Sequence, residues 1–171
     1  LVRICTLKGE NRMAENTGFL QTFKNILEIK VGEDEVTGEP IFERLAAGIS
    51  NMEPQPNDEL AQDIYLDGEG YGETDIIGAQ LVIACTGHRL YGDPAQDFIF
   101  SKVLETGPGR RTVLRWTQPN GDVLEGPVTI ANITGPGGDA GAKSDIEFEL
   151  HFNGKPTFTP ASENGGGGVE G

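Results

Sequence analysis

Few residues of this 171-residue chain have types that could do chemistry, and their spacing argues against most of it. Cys85 and His88 lie three apart in an apolar run that reads as β-strand, where such positions point to opposite faces, so a nucleophile–base pair is excluded. His151 alternates with core positions of another strand and is expected to face solvent. Neither histidine has a partner of ligand type at metal-like spacing, so both read as surface or structural groups. Gly68-x-Gly-x-Gly72 has the look of a phosphate-cradling loop. No helix start follows it, however, no Gly-Lys-Ser/Thr is present, and Glu69 and Glu73 carry the wrong charge. Asp67, Glu69, Glu73 and Asp75 could gather around calcium, yet they miss the EF-hand spacing and read as solvated loop charges. No catalytic set, metal centre or cofactor site emerges. The chain reads as a building block rather than an enzyme.

Charge is more informative. Lys plus Arg is 13 and Asp plus Glu is 27, a formal net charge of −14. Such a surface repels phosphate backbones, which excludes a nucleic-acid-gripping module but not a neighbour of DNA that must not stick to it. The acids crowd between Gly32 and Asp75, where Arg44 is the single base, and bases return together as Arg110, Arg111 and Arg115. An acidic flank and a basic flank on one subunit suit head-to-tail self-assembly. The two cysteines form no disulfide framework, and Cys85, inside Leu81-Val-Ile-Ala-Cys85, reads as a buried free thiol suited to a reducing cytoplasm. No stretch approaches the ~20 apolar residues of a membrane span, so no membrane partner is expected.

The elements that must position these groups are mostly strands. Ile26–Val31 alternates as a half-buried strand, a second lies within Ile41–Ile49, and Asn51–Glu59, with Pro54 and Pro56, reads as a loop. A strand around Asp63–Leu66 precedes the turn at Asp67–Gly72, and Thr74–Tyr91 reads as one long strand bent at Gly78. Asp93, Pro94 and Gln96 predict a helix start with a capping box, and Phe98, Ile99, Val103 and Leu104 continue it until Gly107-Pro108. Arg111–Thr117 and Val123–Thr134 form a hairpin across Pro119-Asn-Gly121, expected as a type I′ turn, with Pro127 at an edge or bulge. Gly135–Gly138 reads as a flexible loop, and Ser144–Phe152 buries Ile146, Phe148, Leu150 and Phe152. The fold expected is mainly β, an antiparallel β-sandwich or open barrel flanked by one α-helix. Residues 1–12 are expected to be upstream or foreign to the fold, since Met13-Ala-Glu-Asn reads as a natural start. Residues 13–160 then form a single domain and 161–171 a flexible Gly-rich tail.

Gly48-Ile-Ser-Asn-Met-Glu-Pro54, the strand ending in Gly87-His-Arg, the helix start Gly92-Asp-Pro-Ala-Gln-Asp97 and the closing Lys155-Pro-Thr-Phe-Thr-Pro160 give the chain a resemblance to a family. Over most of Met13–Pro160 it resembles the major tail tube proteins of long-tailed bacteriophages; some relatives carry a carboxyl-terminal immunoglobulin-like domain, and the glycine run at 165–168 has the composition of a linker to one. The resemblance implies hexameric rings stacked into a hollow, acidic-walled tube through which DNA passes without specific binding. It also implies partners (further copies of the chain, and tape measure, tail tip and terminator proteins) and a place in the virion tail after assembly in the host cytoplasm. Strands of neighbouring copies are expected to join edge to edge. Candidate lumen acids are Glu43, Glu53, Asp63, Asp67, Glu73 and Asp75. Candidate inter-subunit residues are Phe19, Glu33, Asp34, Glu35, Arg110, Arg111, Arg115 and Lys155. Two other readings compete: a tube subunit of a contractile injection or secretion system, and a monomeric β-sandwich binding module. For the second, Trp116, Tyr65, Tyr71 and Tyr91 are a meagre aromatic platform.

Overall fold

Alternating apolar residues build most of the structure, a computed structural model described over residues 18–161. The segment 1–12, most of the arm before Phe19 and the glycine run lie outside the described residues. The strands are β1 (Ile26–Glu33), β2 (Pro40–Arg44), β3 (Ile49–Gln55), β4 (Glu59–Ile64), β5 (Gly72–Gly78), β6 (Val82–His88), β7 (Arg111–Thr117), β8 (Val123–Gly137), β9 (Asp145–Phe152) and β10 (Thr157–Thr159). One helix, α1 (Pro94–Ser101), interrupts them. The main antiparallel sheet has the order β2-β1-β7-β8-β9-β6-β3, with β10 added beside β8, while β4 and β5 form a separate two-stranded sheet. The expected mainly β architecture with one helix is therefore the observed one.

The sheet cannot be flat. Its outermost strands, β2 and β3, are consecutive in the chain and joined only by Leu45–Gly48. Across a flat sheet of this order the two edges would lie about 29 Å apart at the usual strand spacing. The link between them reaches at most about 18 Å. The sheet therefore curls until its edges approach, without β2 and β3 pairing. The link acts as a strap across one end: Leu45 N–H donates to Leu27 O (2.8 Å), on β1, and Gly48 O accepts from His88 N–H (2.7 Å), on β6. Gly48 has φ +76°, and a Cβ there would also run into the His88 carbonyl and the Gln96 amide, so only glycine fits.

Inside the curl lie the inward residues of each strand, among them Ile29, Ile83, Leu114, Ile130, Phe148 and Leu150, all fully buried. The β9 alternation places Ile146, Phe148, Leu150 and Phe152 inward as expected. Cys85 is buried with them, and burial pushes its thiol up to about 12. From α1, Ala95, Gln96 and Ile99 complete the core.

Gln96 is the polar exception. Asp93 caps the helix by accepting from Gln96 N–H (3.0 Å), as predicted, but the Gln96 side chain does not close the reciprocal half of a capping box. Instead its amide nitrogen donates to Ala47 O in the strap (2.6 Å) and His88 O (3.2 Å), while its oxygen accepts from Leu90 N–H (2.9 Å) and the Arg89 guanidinium (3.3 Å). Arg89, almost fully buried, pairs with Asp97 at 2.5 Å and lies over Tyr91 and Phe100. One side chain thus ties helix, strap and β6 together.

Several expectations need correction. The loop expected over Asn51–Glu59 shrinks to residues 56–58: β3 runs through Pro54, which an edge strand tolerates because among the described residues it has a neighbour on one side only. Thr74–Tyr91 is not one strand but divides after Gly78 into β5 and β6, which belong to different sheets. The helix stops at Ser101, and Leu104 is 92% exposed, because Arg110 donates to the Val103 and Glu105 carbonyls (2.7 Å each) and holds that segment irregular. At Pro119–Gly121 only Gly121 has positive φ (96°). Pro119 cannot leave its fixed negative φ, and Gln118 N–H donates to Asp122 O (2.8 Å), so a three-residue loop replaces the type I′ turn. Gly135–Gly137 belongs to β8 rather than to a loop, and Pro127 falls where the second neighbour of β8 changes from β10 to β9.

Two outcomes follow. Gln96→Leu would leave Leu90 N–H and two carbonyls without partners and should cost about 2–4 kcal/mol, read from urea unfolding of Trp116 fluorescence. Cys85 should resist iodoacetamide in the native protein and react only on unfolding, as followed by mass spectrometry.

Candidate functional site

Register assembles a surface that no sequence segment contains. The outward residues of β3, β6, β9 and the far half of β8 form rows across four strands: Glu53–Ala84–Glu149–Ala131, then Asn51–Thr86–Glu147–Thr134, then His88–Asp145–Gly137. Four carboxylates, Glu53, Asp145, Glu147 and Glu149, stand there among small side chains. No lysine or arginine occurs in β3, β6, β9 or Thr129–Gly137, and His88 and His151 are the basic groups on the face. His151 Nε2 lies 2.7 Å from Glu149 Oε2, which also accepts from Asn132 (2.7 Å), and His88 faces Asp145 at 3.4 Å. The hydrogen bond to His151, then that from Asn132, holds the Glu149 carboxyl below its ordinary value.

The other half of the sheet is different. Arg115 on β7 pairs with Glu125 at 2.6 Å and approaches Glu28 at 3.9 Å, and its guanidinium stacks on Phe42; Lys30 pairs with Glu33 at 2.6 Å. Arginine and lysine stand beside acids there, whereas the basic groups on the four-strand face are His88 and His151.

The structure disperses the sequence-predicted lumen acids. Glu53 stands on the four-strand face. Glu43 lies opposite Ile29 on edge strand β2. Asp63 and Glu73 oppose each other on the β4–β5 hairpin, Asp75 opposes Ala61 on the same face, and Asp67 sits in the hairpin turn. The other hairpin face carries Leu60 opposite Ile76, then Gln62 opposite Thr74, then Ile64. Asp145, Glu147 and Glu149 went unnoticed in the sequence, although every second residue of Asp145–Phe152 that does not face the core is polar and three of the four are acids.

Among the candidate inter-subunit residues, Phe19, Glu35, Arg111 and Lys155 are exposed. Asp34 accepts from the Thr37 and Val36 N–H groups (2.9 and 2.8 Å), bonds that lower its pKa, and Lys30 does the same for Glu33. Arg110 and Arg115 are engaged inside the subunit as described. No group of three or more His, Cys, Asp or Glu among the described residues could hold a metal, and no helix among them is long and apolar enough to cross a membrane.

No protein-family model matches the chain, and no curated protein matches it. Among solved structures, the chain superposes on one from the tail of an empty gene transfer agent particle determined with C6 symmetry, with a TM-score of 0.65 and 17% identity. The match covers 82% of this chain and 99% of that one. The fold is one that a particle tail uses. A chain in the virion of a native gene transfer agent particle is similar to the same degree, with a TM-score of 0.62, 16% identity, and coverage of 82% and 99%.

Glu149 gives this face a pH signature. Its folded pKa lies below the ordinary 4.5, so it contributes stability above that value and loses the contribution as pH falls through the folded one. The stability gap between the natural chain and Glu149→Gln should be widest well above 4.5 and shrink as pH is lowered below 4.5 in urea titrations.

Proposed function

We propose that this chain is the repeating subunit of a tail tube, whose copies join into rings that stack around an acid-walled channel for DNA. The observation that carries this reading is the four-strand face, with four carboxylates, no lysine or arginine, and two edges without a strand partner among the described residues. Among the described residues β3 pairs only with β6, and beyond Thr129 β8 pairs only with β9. Each strand of the set runs antiparallel to the next, so β8 and β3 run in opposite directions. The β8 edge of one copy therefore meets the β3 edge of the next as an antiparallel pair, and the faces continue from copy to copy with the acids on one side. This joins the edges that would otherwise invite disordered aggregation.

The C6 symmetry of the structurally similar tail supports six copies per ring. Six four-strand faces at the usual strand spacing give a circumference of about 115 Å and a diameter of about 37 Å before strand tilt widens it. A double helix with side chains and water on either side fits that width. A wall of carboxylates without lysine or arginine offers phosphates nothing to hold, so the cargo slides.

Negative-stain microscopy of the concentrated protein should show rings or hollow filaments without a contractile sheath; a protein that stays monomeric at every concentration overturns the proposal. In assembled tubes, Glu147→Lys with Glu149→Lys should preserve the filament yet raise duplex DNA retention about tenfold or more at low salt, the gain vanishing as salt rises. Unchanged retention would separate the channel from the assembly and sink the acid-wall account.

A further inference from the structure

The two histidines of the four-strand face each stand beside an acid of β9. His151 Nε2 lies 2.7 Å from Glu149 Oε2, and His88 Nε2 lies 3.4 Å from Asp145 Oδ1. Outward residues of β9 follow one another about 7 Å apart, in the order Asp145, Glu147, Glu149, His151. With His88 directly opposite Asp145, one histidine closes each end of a row of three acids. Solvent reaches both rings, since the His88 side chain is 46% exposed and that of His151 27%.

The surroundings of each ring are acidic or neutral. Around His88, Asp145 and Glu147 of β9 line one groove with Ser50, Thr86 and Thr134. From α1, Gln96 donates to the His88 carbonyl, while Asp97 is taken up by Arg89. Asp139 and Lys143, in the segment before β9, are exposed and form no ion pair among the described residues. Around His151, β6 places buried Val82 opposite, and β8 places Thr129 opposite and Asn132 on Glu149. Beyond β6, β3 contributes Gln55 across from Val82 and Glu53 in the Glu149 row, and Asp58 in the link after β3 is exposed. No lysine or arginine occurs on these strands to hold the charge of the face constant.

Histidine is the side chain whose charge changes between pH 8 and pH 5, whereas carboxylates as a class stay ionised down to the lower part of that range. Glu53, Asp145, Glu147 and Glu149 with two neutral rings give the face about −4 charges per copy, and two protonated rings bring it to about −2. The change is also placed: each imidazolium stands against an acid at one end of the row, and Glu147 and Glu53 remain without a cationic neighbour.

We infer that His88 and His151 make this face a proton switch, which repels polyanions at neutral pH and loses about half of that charge in mild acid. The inference rests on, and deepens, the reading of the face as a channel wall. A wall so built lets a nucleic acid slide near neutral pH and drags on it when the surroundings acidify.

The full chain and its His88→Gln, His151→Gln double variant test it, with glutamine keeping a polar group beside each acid and folding checked by Trp116 fluorescence. Free-solution electrophoresis of the two unassembled proteins should give equal mobilities at pH 8 and, at pH 5.5, a gap of about two elementary charges. Equal mobilities at both pH values overturn the switch, whether or not tubes form. In assembled tubes at low salt, the natural chain should retain duplex DNA about threefold more, or better, at pH 5.5 than at pH 8, with the gain lost in the variant and at high salt. Retention that ignores pH in tubes where Glu147→Lys with Glu149→Lys raises it overturns the switch and leaves the acid wall standing. Retention that ignores both changes overturns the wall and the switch together. The mobility gap in a protein that forms no tubes keeps the proton-switched face and removes the tube reading.

Discussion

Everything in this subunit depends on one short link. Leu45–Gly48 connects the two outermost strands of a seven-strand path, and that reach is too small for a flat sheet. The curl that results gives inward side chains a common interior and leaves two edges facing out. It also explains why a glutamine is fully buried in an otherwise apolar core. The strap exposes backbone carbonyls to the helix side, and buried peptide groups need partners. Gln96 supplies a donor to the Ala47 carbonyl and, at the same time, an acceptor for Leu90 N–H.

The same curl sorts charge. On β1, β7 and the first half of β8 acids and bases stand closely enough to pair, as Arg115 does with Glu125 and Glu28. On β3, β6 and β9 the outward positions are acids, Asn51, Gln55, Ala84 and Thr86, with a histidine beside an acid in two places. The net charge of the chain therefore says less than its placement. An acidic composition alone is common for reasons of solubility, whereas a sheet face without lysine or arginine across four strands is a feature of placement, and the proposed repelling wall rests on it.

Much of the fold could be read from the residues. Period-two alternation marked β1, β7 and β9, and the Asp93-Pro94 start marked α1, because both signals are local. The corrected elements share a different property: what decided them lies far away in sequence. β3 holds Pro54 because nothing among the described residues pairs on its outer side, and β5 separates from β6 because its partner is β4, not β9. Gln96 looked like half of a capping box, and its true partners lie up to 49 residues away. The acid face illustrates the limit most sharply. Counting charge along the chain pointed to Gly32–Asp75, but Glu147 and Glu149 share a surface with Glu53 through register, which a one-dimensional count does not see.

The absence of lysine and arginine from the four-strand face has a consequence for the solvent next to it. In the proposed ring, fixed carboxylates surround an enclosed volume, and electroneutrality draws small cations into it from outside, as in a Donnan compartment. Those ions are mobile. A polyanion entering such a space exchanges partners with a fluid rather than with a surface, and its friction is set by ion diffusion instead of by the breaking of bonds to the wall.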